Sequence, residues 1–96
     1  MDLRLKGKRA IVTAASRGLG FATAQSLANE GVHVTINARS EGPLEEAAEK
    51  IRAMYDVEVT PVAADFTEDE GRTAILAAAG DVDILVSNPG VRQVQT

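Results

Sequence analysis

The sequence of 96 residues lacks cysteine and tryptophan and contains a single histidine. Without cysteine, neither a disulfide framework nor a thiolate metal site can form, and nothing indicates an oxidising compartment, so we expect a cytoplasmic protein without a metal site. The first eight residues contain no apolar core of signal-peptide length, and the later apolar runs are far shorter than a membrane span. The sequence therefore predicts a soluble protein with no membrane partner.

An excess of basic residues is also missing, because 10 Lys and Arg residues face 14 Asp and Glu residues and give a net charge of −4. Proteins that bind nucleic acids or membrane surfaces meet phosphate with basic patches, so we expect neither partner. The length suffices for one small domain, and a composition of 45% hydrophobic and 25% charged residues is typical of globular proteins. We predict a single domain over residues 1–96.

A strand, a glycine turn and a helix are predicted near the N-terminus. The strand over residues 9–13 is followed by Gly18 and Gly20, and apolar or small residues then recur at helical spacing from Leu19 as far as Gly31. Glycines let the backbone approach a ligand closely, and the helix that begins there directs its unpaired N–H groups to the same place. This arrangement is typical of a diphosphate site, although a tight turn without a ligand is an equal alternative for this stretch alone.

Strands and helices alternate along the rest of the chain. Predicted strands cover residues 32–37, 57–64 and 83–87, and predicted helices begin at Pro43 and Thr67, the latter with a capping box formed by Thr67 and Glu70. The alternation predicts an α/β fold with a doubly wound (Rossmann) parallel sheet. Because Pro61 removes a donor from the third strand, that strand belongs at an edge, which fits the strand order 3-2-1-4.

Four short windows of the sequence resemble the motifs of one protein family. Residues 13–20 are similar to the family's T-G-x-x-x-G-x-G, with Ala14 in place of the first glycine, and residues 37–40 lie where the family selects its cofactor. Residues 64–66 contain the aspartate that the family places beside adenine, and residues 87–90 are similar to its N-N-A-G. Together the windows resemble those of the short-chain dehydrogenases/reductases, and within that family the chain is similar to the 3-oxoacyl carrier-protein reductases. The resemblance covers essentially the whole chain.

The resemblance implies that the chain is one partial dinucleotide-binding domain, truncated after its fourth strand. Two residues at its site, Ala14 and Pro89, depart from the family's motifs. We expect Ala14 to tolerate the turn if its φ is negative, with its methyl group near the adenosine side of the cofactor, and Pro89 lacks the N–H that an alanine there could donate. The residues implied to bind the cofactor are Thr13, Ala15, Ser16, Arg17, Gly18, Leu19, Gly20, Ala38, Arg39, Ser40, Asp65, Phe66, Asn88, Pro89 and Gly90.

The end of the second predicted strand indicates which dinucleotide binds. An NAD site needs a carboxylate there to hold the ribose 2′-OH, whereas the 2′-phosphate of NADP needs a guanidinium. This chain has Ala38 and Arg39 at that place, and Arg17 in the glycine turn would converge on the same phosphate. We therefore predict NADP(H) as the cofactor. The alternative is that both arginines are solvated surface residues.

His33 and Asp65 are polar residues for which simpler roles must be weighed. His33 lies near the start of the second strand, at the end of the sheet away from the ligand, so we expect a structural role for it. Asp65 follows a strand, where aspartate is often a plain turn residue, and only its place among the four windows favours contact with adenine.

The catalytic residues that the resemblance implies are a serine and a tyrosine followed four residues later by lysine. The sole tyrosine, Tyr55, is followed at that spacing by Val59, so no group here can protonate a carbonyl oxygen during hydride transfer. We expect no catalytic residue in this chain and no turnover by it alone. Two interpretations stay open: the cofactor-binding half of an oxidoreductase that acts on a small carbonyl or alcohol substrate, which we favour, and a non-catalytic nucleotide-binding or interaction module.

The last expectation concerns association. The order 3-2-1-4 leaves the fourth strand as an unpaired edge beside a sheet face that a single helix covers. Such an edge is a template for pairing with another chain, so we expect a homo-oligomer.

Overall fold

The computed structural model describes residues 5–16, 18–87 and 92–94, the last three by their backbone alone. Strands and helices alternate as predicted, with ends that differ from the predicted ones by one or two residues. Of the helices in these ranges, none is long and apolar enough to cross a membrane. The elements in chain order are β1 (Arg9–Val12), α1 (Gly18–Asn29), β2 (His33–Ala38), α2 (Glu41–Met54), β3 (Val59–Ala63), α3 (Asp69–Ala79), β4 (Ile84–Ser87) and β5 (Arg92–Val94).

The strands form one sheet in the order β3-β2-β1-β4-β5, in which the first four are parallel and β5 runs antiparallel to β4. The predicted doubly wound α/β fold and the order 3-2-1-4 are confirmed. The prediction that β4 is an unpaired edge was wrong, because Leu85 pairs with Val94 and Ser87 with Arg92. A strand of three residues is too short to show the alternation by which strands are recognised in a sequence.

Two apolar cores lie on opposite faces of the sheet, because successive residues of a strand point to opposite sides. In β1, Ala10 and Val12 belong to the first core, whereas Ile11 belongs to the second. The second core contains Ile75 and Ala79 of α3, and among the described residues this is the helix that covers its face, as expected. The first core includes the buried apolar side chains of α1 and α2, namely Ala24, Ala28, Leu44, Ala47, Ala48 and Ile51.

The ends of α1 and α2 follow from glycine and proline. Gly31 has a φ of +84°, and its N–H donates to the Ala28 carbonyl, so α1 ends at the left-handed glycine that the sequence predicts. Helix α2 begins at Glu41, two residues earlier than predicted. Pro43 therefore lies within the first turn, where the N–H that it lacks would have no partner in the helix.

The start of α3 differs from its prediction. The helix begins at Asp69, and its N-cap residue Glu68 makes no side-chain capping bond. The predicted capping box was wrong, because the Thr67 hydroxyl donates to the carboxylate of Asp65 instead. To cap α3, the Thr67 oxygen would have to accept from a backbone N–H of the helix, whereas its hydroxyl donates to the Asp65 carboxylate, a charged acceptor two residues earlier.

Strand β3 is an edge of the sheet, as Pro61 predicts. The Ala64 N–H donates to the Ala38 carbonyl, and the Glu58 carbonyl accepts from the Val34 N–H. Because backbone groups alternate in direction along a strand, even-numbered residues of β3 bond toward β2 and odd-numbered residues face outward. The nitrogen of Pro61 therefore points away from the sheet, where no ladder bond is lost.

Candidate functional site

Three of the four windows singled out in the sequence follow the carboxyl ends of neighbouring parallel strands. The connection after β1 begins at residue 13, the one after β2 at residue 39 and the one after β3 at residue 64. Carboxyl ends of parallel strands meet at one edge of the sheet, which is where open α/β sheets bind ligands. The switch in strand order lies between β1 and β4, which are adjacent in the sheet although far apart in the chain.

Backbone bonds hold the turn after β1 to both neighbouring strands. The Thr13 N–H donates to the Val86 carbonyl of β4 at 3.0 Å, and the Ala15 N–H donates to the Asn37 carbonyl of β2 at 2.8 Å. The Thr13 hydroxyl lies 3.5 Å from the same Val86 oxygen, and both Thr13 and Ala15 are buried. The position of the turn is therefore fixed from two sides.

Gly18 and Gly20 serve different purposes at this turn. Gly18 has a φ of +65°, and a Cβ built on it would meet nothing within 4 Å, so the chain can approach a ligand there without obstruction. Gly20 lets α1 pack against the turn, because a Cβ at this position would overlap the Ala14 carbonyl oxygen. The unpaired N–H groups of the first turn of α1 begin at the same place, beside the exposed Leu19.

Ala14 has a φ of +51°, so the negative φ on which its tolerance of the turn was expected to depend is not found. The bonds that Thr13 and Ala15 make to β4 and β2 fix the backbone on either side and leave the residue between them in the left-handed region. Ala14 itself is exposed, so no packing of its methyl group compensates for this conformation. The turn keeps the backbone geometry of a glycine position while holding an alanine.

Strand β2 ends in the buried Ala38, which is followed by the exposed Arg39 and Ser40. The Ala38 carbonyl accepts from the Ala64 N–H at 3.1 Å, which joins the end of β2 to the segment after β3. Residues 37–40 include no acidic side chain. The exposed group at the end of β2 is thus a guanidinium.

Asp65 and Thr67 form a compact turn after β3. The Thr67 hydroxyl and backbone N–H both donate to Oδ1 of Asp65, at 2.6 and 2.9 Å respectively. The pKa of Asp65 is lowered first by the hydroxyl bond and then by the backbone bond, while burial opposes the shift and the charge of Arg39 adds to it. Asp65 is therefore a turn residue whose ionised carboxylate is held near Arg39, and its contact with adenine stays a prediction.

Helix α3 holds the same segment from its other side. A Cβ on Gly71 would overlap the Asp65 carbonyl oxygen, so this glycine allows close approach of the helix. Arg72 donates from Nη1 to the Phe66 carbonyl at 3.1 Å and also pairs with Asp69. The sequence analysis missed Gly71. Its signal is a glycine inside a predicted helix, which lowers helix stability unless another backbone packs against it.

Asn37 is a second such residue, because it lies in the window of residues 37–40 but was given no role of its own. It is buried near the end of β2, and its Nδ2 donates to the carbonyls of Val62 and Ala64, both at 2.9 Å. The available signal was a polar side chain at the end of an otherwise apolar strand, which indicates only that the strand is ending.

Four predicted site residues and His33 complete the comparison with the sequence. The predictions for Arg17, Asn88, Pro89 and Gly90 fall outside the described residues. His33 lies at the amino end of β2, where its Nδ1 accepts from the Glu58 N–H at 3.0 Å, so it has the structural role expected of it. No three His, Cys, Asp or Glu side chains form a group suited to a metal ion in the part of the chain that the structure describes.

Comparison with known proteins gives a family. The family model for short chain dehydrogenases matches residues 8–96. An uncharacterized oxidoreductase of Bacillus subtilis, YvaG, is 38% identical over 92 residues, which make up 95% of this chain and 35% of that protein. The 3-dehydrosphinganine reductase TSC10A of Arabidopsis thaliana is 37% identical over 91 residues, or 95% of this chain and 28% of that protein. This chain spans about a third of the length of these curated relatives.

Solved structures share both the fold and the sequence. L-sorbose reductase from Gluconobacter frateurii, complexed with NADPH and L-sorbose, matches with a TM-score of 0.88 and 38% identity over 94% of this chain and 36% of that one. A short chain dehydrogenase/reductase from Burkholderia phymatum in complex with NAD matches with a TM-score of 0.75 and 30% identity over 84% of this chain and 30% of that one. Since the family model covers nearly all of the sequence and these folds agree, the chain belongs to the short-chain dehydrogenase family.

Proposed function

We propose that this chain forms the NADP(H)-binding part of an oxidoreductase that transfers hydride between the nicotinamide and a carbonyl or alcohol substrate. The observation that carries the proposal is the glycine turn beside a strand end that presents Arg39. The open side of Gly18 and the N-terminus of α1 suit a diphosphate, because unpaired N–H groups and the helix dipole favour an anion there. When bound, the nicotinamide supplies or accepts the hydride.

Arg39 supports NADP(H) over NAD(H). Its guanidinium is exposed directly after β2, where it can pair with a 2′-phosphate, and no carboxylate in residues 37–40 opposes that phosphate. The similar structures carry both cofactors, since the Gluconobacter protein is complexed with NADPH and the Burkholderia protein with NAD. Family membership therefore leaves the choice open, and the proposal rests on Arg39.

Turnover requires an acid that protonates the carbonyl oxygen as hydride arrives. Tyr55 is the sole tyrosine of the chain, and it caps the carboxyl end of α2 just before β3, at the amino edge of the sheet. It also packs partly buried against the first core. We therefore propose that residues 1–96 bind the cofactor without turning over substrate on their own.

Titration of the full-length protein with NADPH and NADH tests the proposal. We expect NADPH to bind more tightly, and Arg39→Asp to weaken NADPH binding by about 1.5–3 kcal/mol, the contribution of one charge-assisted hydrogen bond. Lys8→Asp is the matched control, because it changes the net charge equally on an exposed residue before β1, at the opposite edge of the sheet. Equal affinity of the unmutated protein for both cofactors would overturn the NADP preference, and binding of neither would overturn the function.

A second measurement separates an enzyme from a binding module. We expect the full-length protein to oxidise NADPH in the presence of some members of a panel of small carbonyl compounds. Tight NADPH binding with no turnover across the panel would favour the non-catalytic module.

A further inference from the structure

Asn37 is a buried polar residue that no direct contact with a cofactor explains. Its exposed fraction is 2%, and it precedes Ala38 and Arg39 at the carboxyl end of β2. A buried amide is unfavourable unless its donors are hydrogen bonded. The partners of Asn37 therefore indicate its role.

These partners belong to two different connections. Both Nδ2 protons are donated to the strand that leads to Asp65, one to the Val62 carbonyl and one to the Ala64 carbonyl, at 2.9 Å each. The backbone carbonyl of Asn37 accepts from the Ala15 N–H of the glycine turn at 2.8 Å. One residue thus joins the glycine turn to the segment that precedes Asp65.

We propose that Asn37 is a positioning residue that sets the separation between the glycine turn and the Asp65 segment, and that it thereby shapes the adenosine side of the cofactor site. The inference rests on the proposed function. Asn37 acts through its neighbours: the glycine turn would receive the diphosphate, Arg39 the 2′-phosphate, and Asp65 would lie beside the adenine ring. A change in the distances between these groups lowers the affinity for the adenosine half of the cofactor.

The amide of asparagine is the one group of this size that donates twice from a single nitrogen. An aspartate carboxylate of the same shape would face the Val62 and Ala64 carbonyl oxygens and repel both. Serine is shorter and has one donor, so it satisfies at most one of the two carbonyls. The backbone bond from Ala64 to Ala38 would keep β3 paired with β2 in either variant. The side-chain bonds to Val62 and Ala64 would be lost in Asn37→Asp and reduced to at most one in Asn37→Ser.

The test compares Asn37→Asp and Asn37→Ser with Val34→Ala in the full-length protein. Val34 is buried on the same strand but nearer its amino end, so its truncation lowers stability without touching the cofactor edge. Melting temperature and the dissociation constants for NADPH and for adenosine 2′,5′-bisphosphate are measured for each protein. The bisphosphate reports on the adenosine side alone.

We expect Asn37→Asp to weaken binding of both ligands by about tenfold or more, as when one buried carbonyl loses its partner. Asn37→Ser should weaken both by a smaller factor, and Val34→Ala should lower the melting temperature with both constants unchanged. If Asn37→Asp does not fold, as judged by circular dichroism, the affinities of Asn37→Ser compared with those of the unmutated protein test the inference.

Four outcomes overturn the inference. Unchanged affinity in the folded Asn37 variants, with the unmutated protein binding both ligands, overturns the role of Asn37 alone. Loss of NADPH affinity without loss of bisphosphate affinity, or an equal loss in Val34→Ala, does the same. If the unmutated protein binds neither ligand, the proposed function fails as well.

Discussion

Ala14 holds conformational strain at the start of the glycine turn. Its φ of +51° places the Cβ close to a backbone carbonyl, which costs an L-residue about 1–2 kcal/mol. Glycine removes this strain, although it also increases the entropy of the unfolded chain. We expect Ala14→Gly to raise the free energy of unfolding by up to about 1 kcal/mol. Urea denaturation monitored by circular dichroism gives the value.

The control for this prediction is the neighbouring residue. Ala15 is fully buried, and the structure gives it no positive φ, so Ala15→Gly both removes a packed methyl group and loosens the unfolded chain. It should therefore destabilise the fold. If Ala14→Gly destabilised the protein as much as Ala15→Gly does, the strain at Ala14 would have no energetic consequence.

Asp65 makes stability depend on pH. Because its pKa is lowered in the folded protein, the two bonds from Thr67 stabilise the fold at pH values above the ordinary pKa of aspartate. This contribution is lost as the pH falls through the lowered pKa, where the carboxylate is protonated. We expect Asp65→Asn to be less stable than the unmutated protein at neutral pH and equally stable in acid.

Thr67→Val provides a direct test of the cause. The substitution keeps the backbone bond to Asp65 and removes the hydroxyl bond, which has the largest effect on the pKa. The pKa of Asp65, followed by NMR of its carboxyl carbon, should therefore rise toward the ordinary value. An unchanged pKa in Thr67→Val would assign the shift to the backbone bond and to Arg39.

At the scale of the elements, two glycines allow helices to pack on the connections that precede them. A Cβ on Gly20 would overlap the Ala14 carbonyl, and one on Gly71 would overlap the Asp65 carbonyl. Neither obstacle is a flexible side chain, so the helix or the connection must move. We expect Gly20→Ala and Gly71→Ala each to destabilise the protein by about 1–3 kcal/mol, as overpacking does.

Gly42 is the matched control in a third helix. It lies in the first turn of α2, where a Cβ would meet nothing within 4 Å, so Gly42→Ala should stabilise by up to about 1 kcal/mol through helix propensity. Chemical denaturation of the three variants measures the differences. Stabilisation by Gly71→Ala would mean that α3 does not depend on close approach to Asp65.

The sequence predicts those features that depend on the backbone of a single residue. Pro61 places β3 at an edge and Gly31 ends α1, because each acts through its own backbone. Asn37 donates to carbonyls 25 and 27 residues further along the chain, and Gly71 packs against a connection that folds back onto its helix. Neither periodicity nor propensity encodes such contacts. Thr67 is a good capping residue by type, but the N-cap of α3 is Glu68, and the Thr67 hydroxyl donates to Asp65.

At the scale of the whole molecule, the sheet has β3 and β5 as its edges. Pro61 protects the edge formed by β3, since its nitrogen points outward and offers no donor to another chain. We expect Pro61→Val, which restores an outward N–H in a strand-forming residue, to increase self-association over a concentration series in analytical ultracentrifugation. That the unmutated protein is a homo-oligomer stays a prediction, and the same concentration series on that protein tests it.

A charged residue on the same edge is the control. Ala63 is exposed two residues after Pro61, so Ala63→Lys adds a charge that opposes strand pairing at this edge. The double variant should return toward the association state of the unmutated protein. Unchanged association in Pro61→Val would show that β3 is not a route to pairing.

The central position of β1 has a consequence for the newly made chain. Ala10 lies between Val34 and Ile84, so one neighbour of β1 is synthesised soon after it and the other only near the end of the described chain. Ile11 is likewise covered only after Ile75 and Ala79, its partners in the second core, have been synthesised. Closing so long a loop is slow, and meanwhile β1 is an open edge with an uncovered side chain. The nascent chain is therefore most exposed to misassembly at the strand that the finished protein protects best.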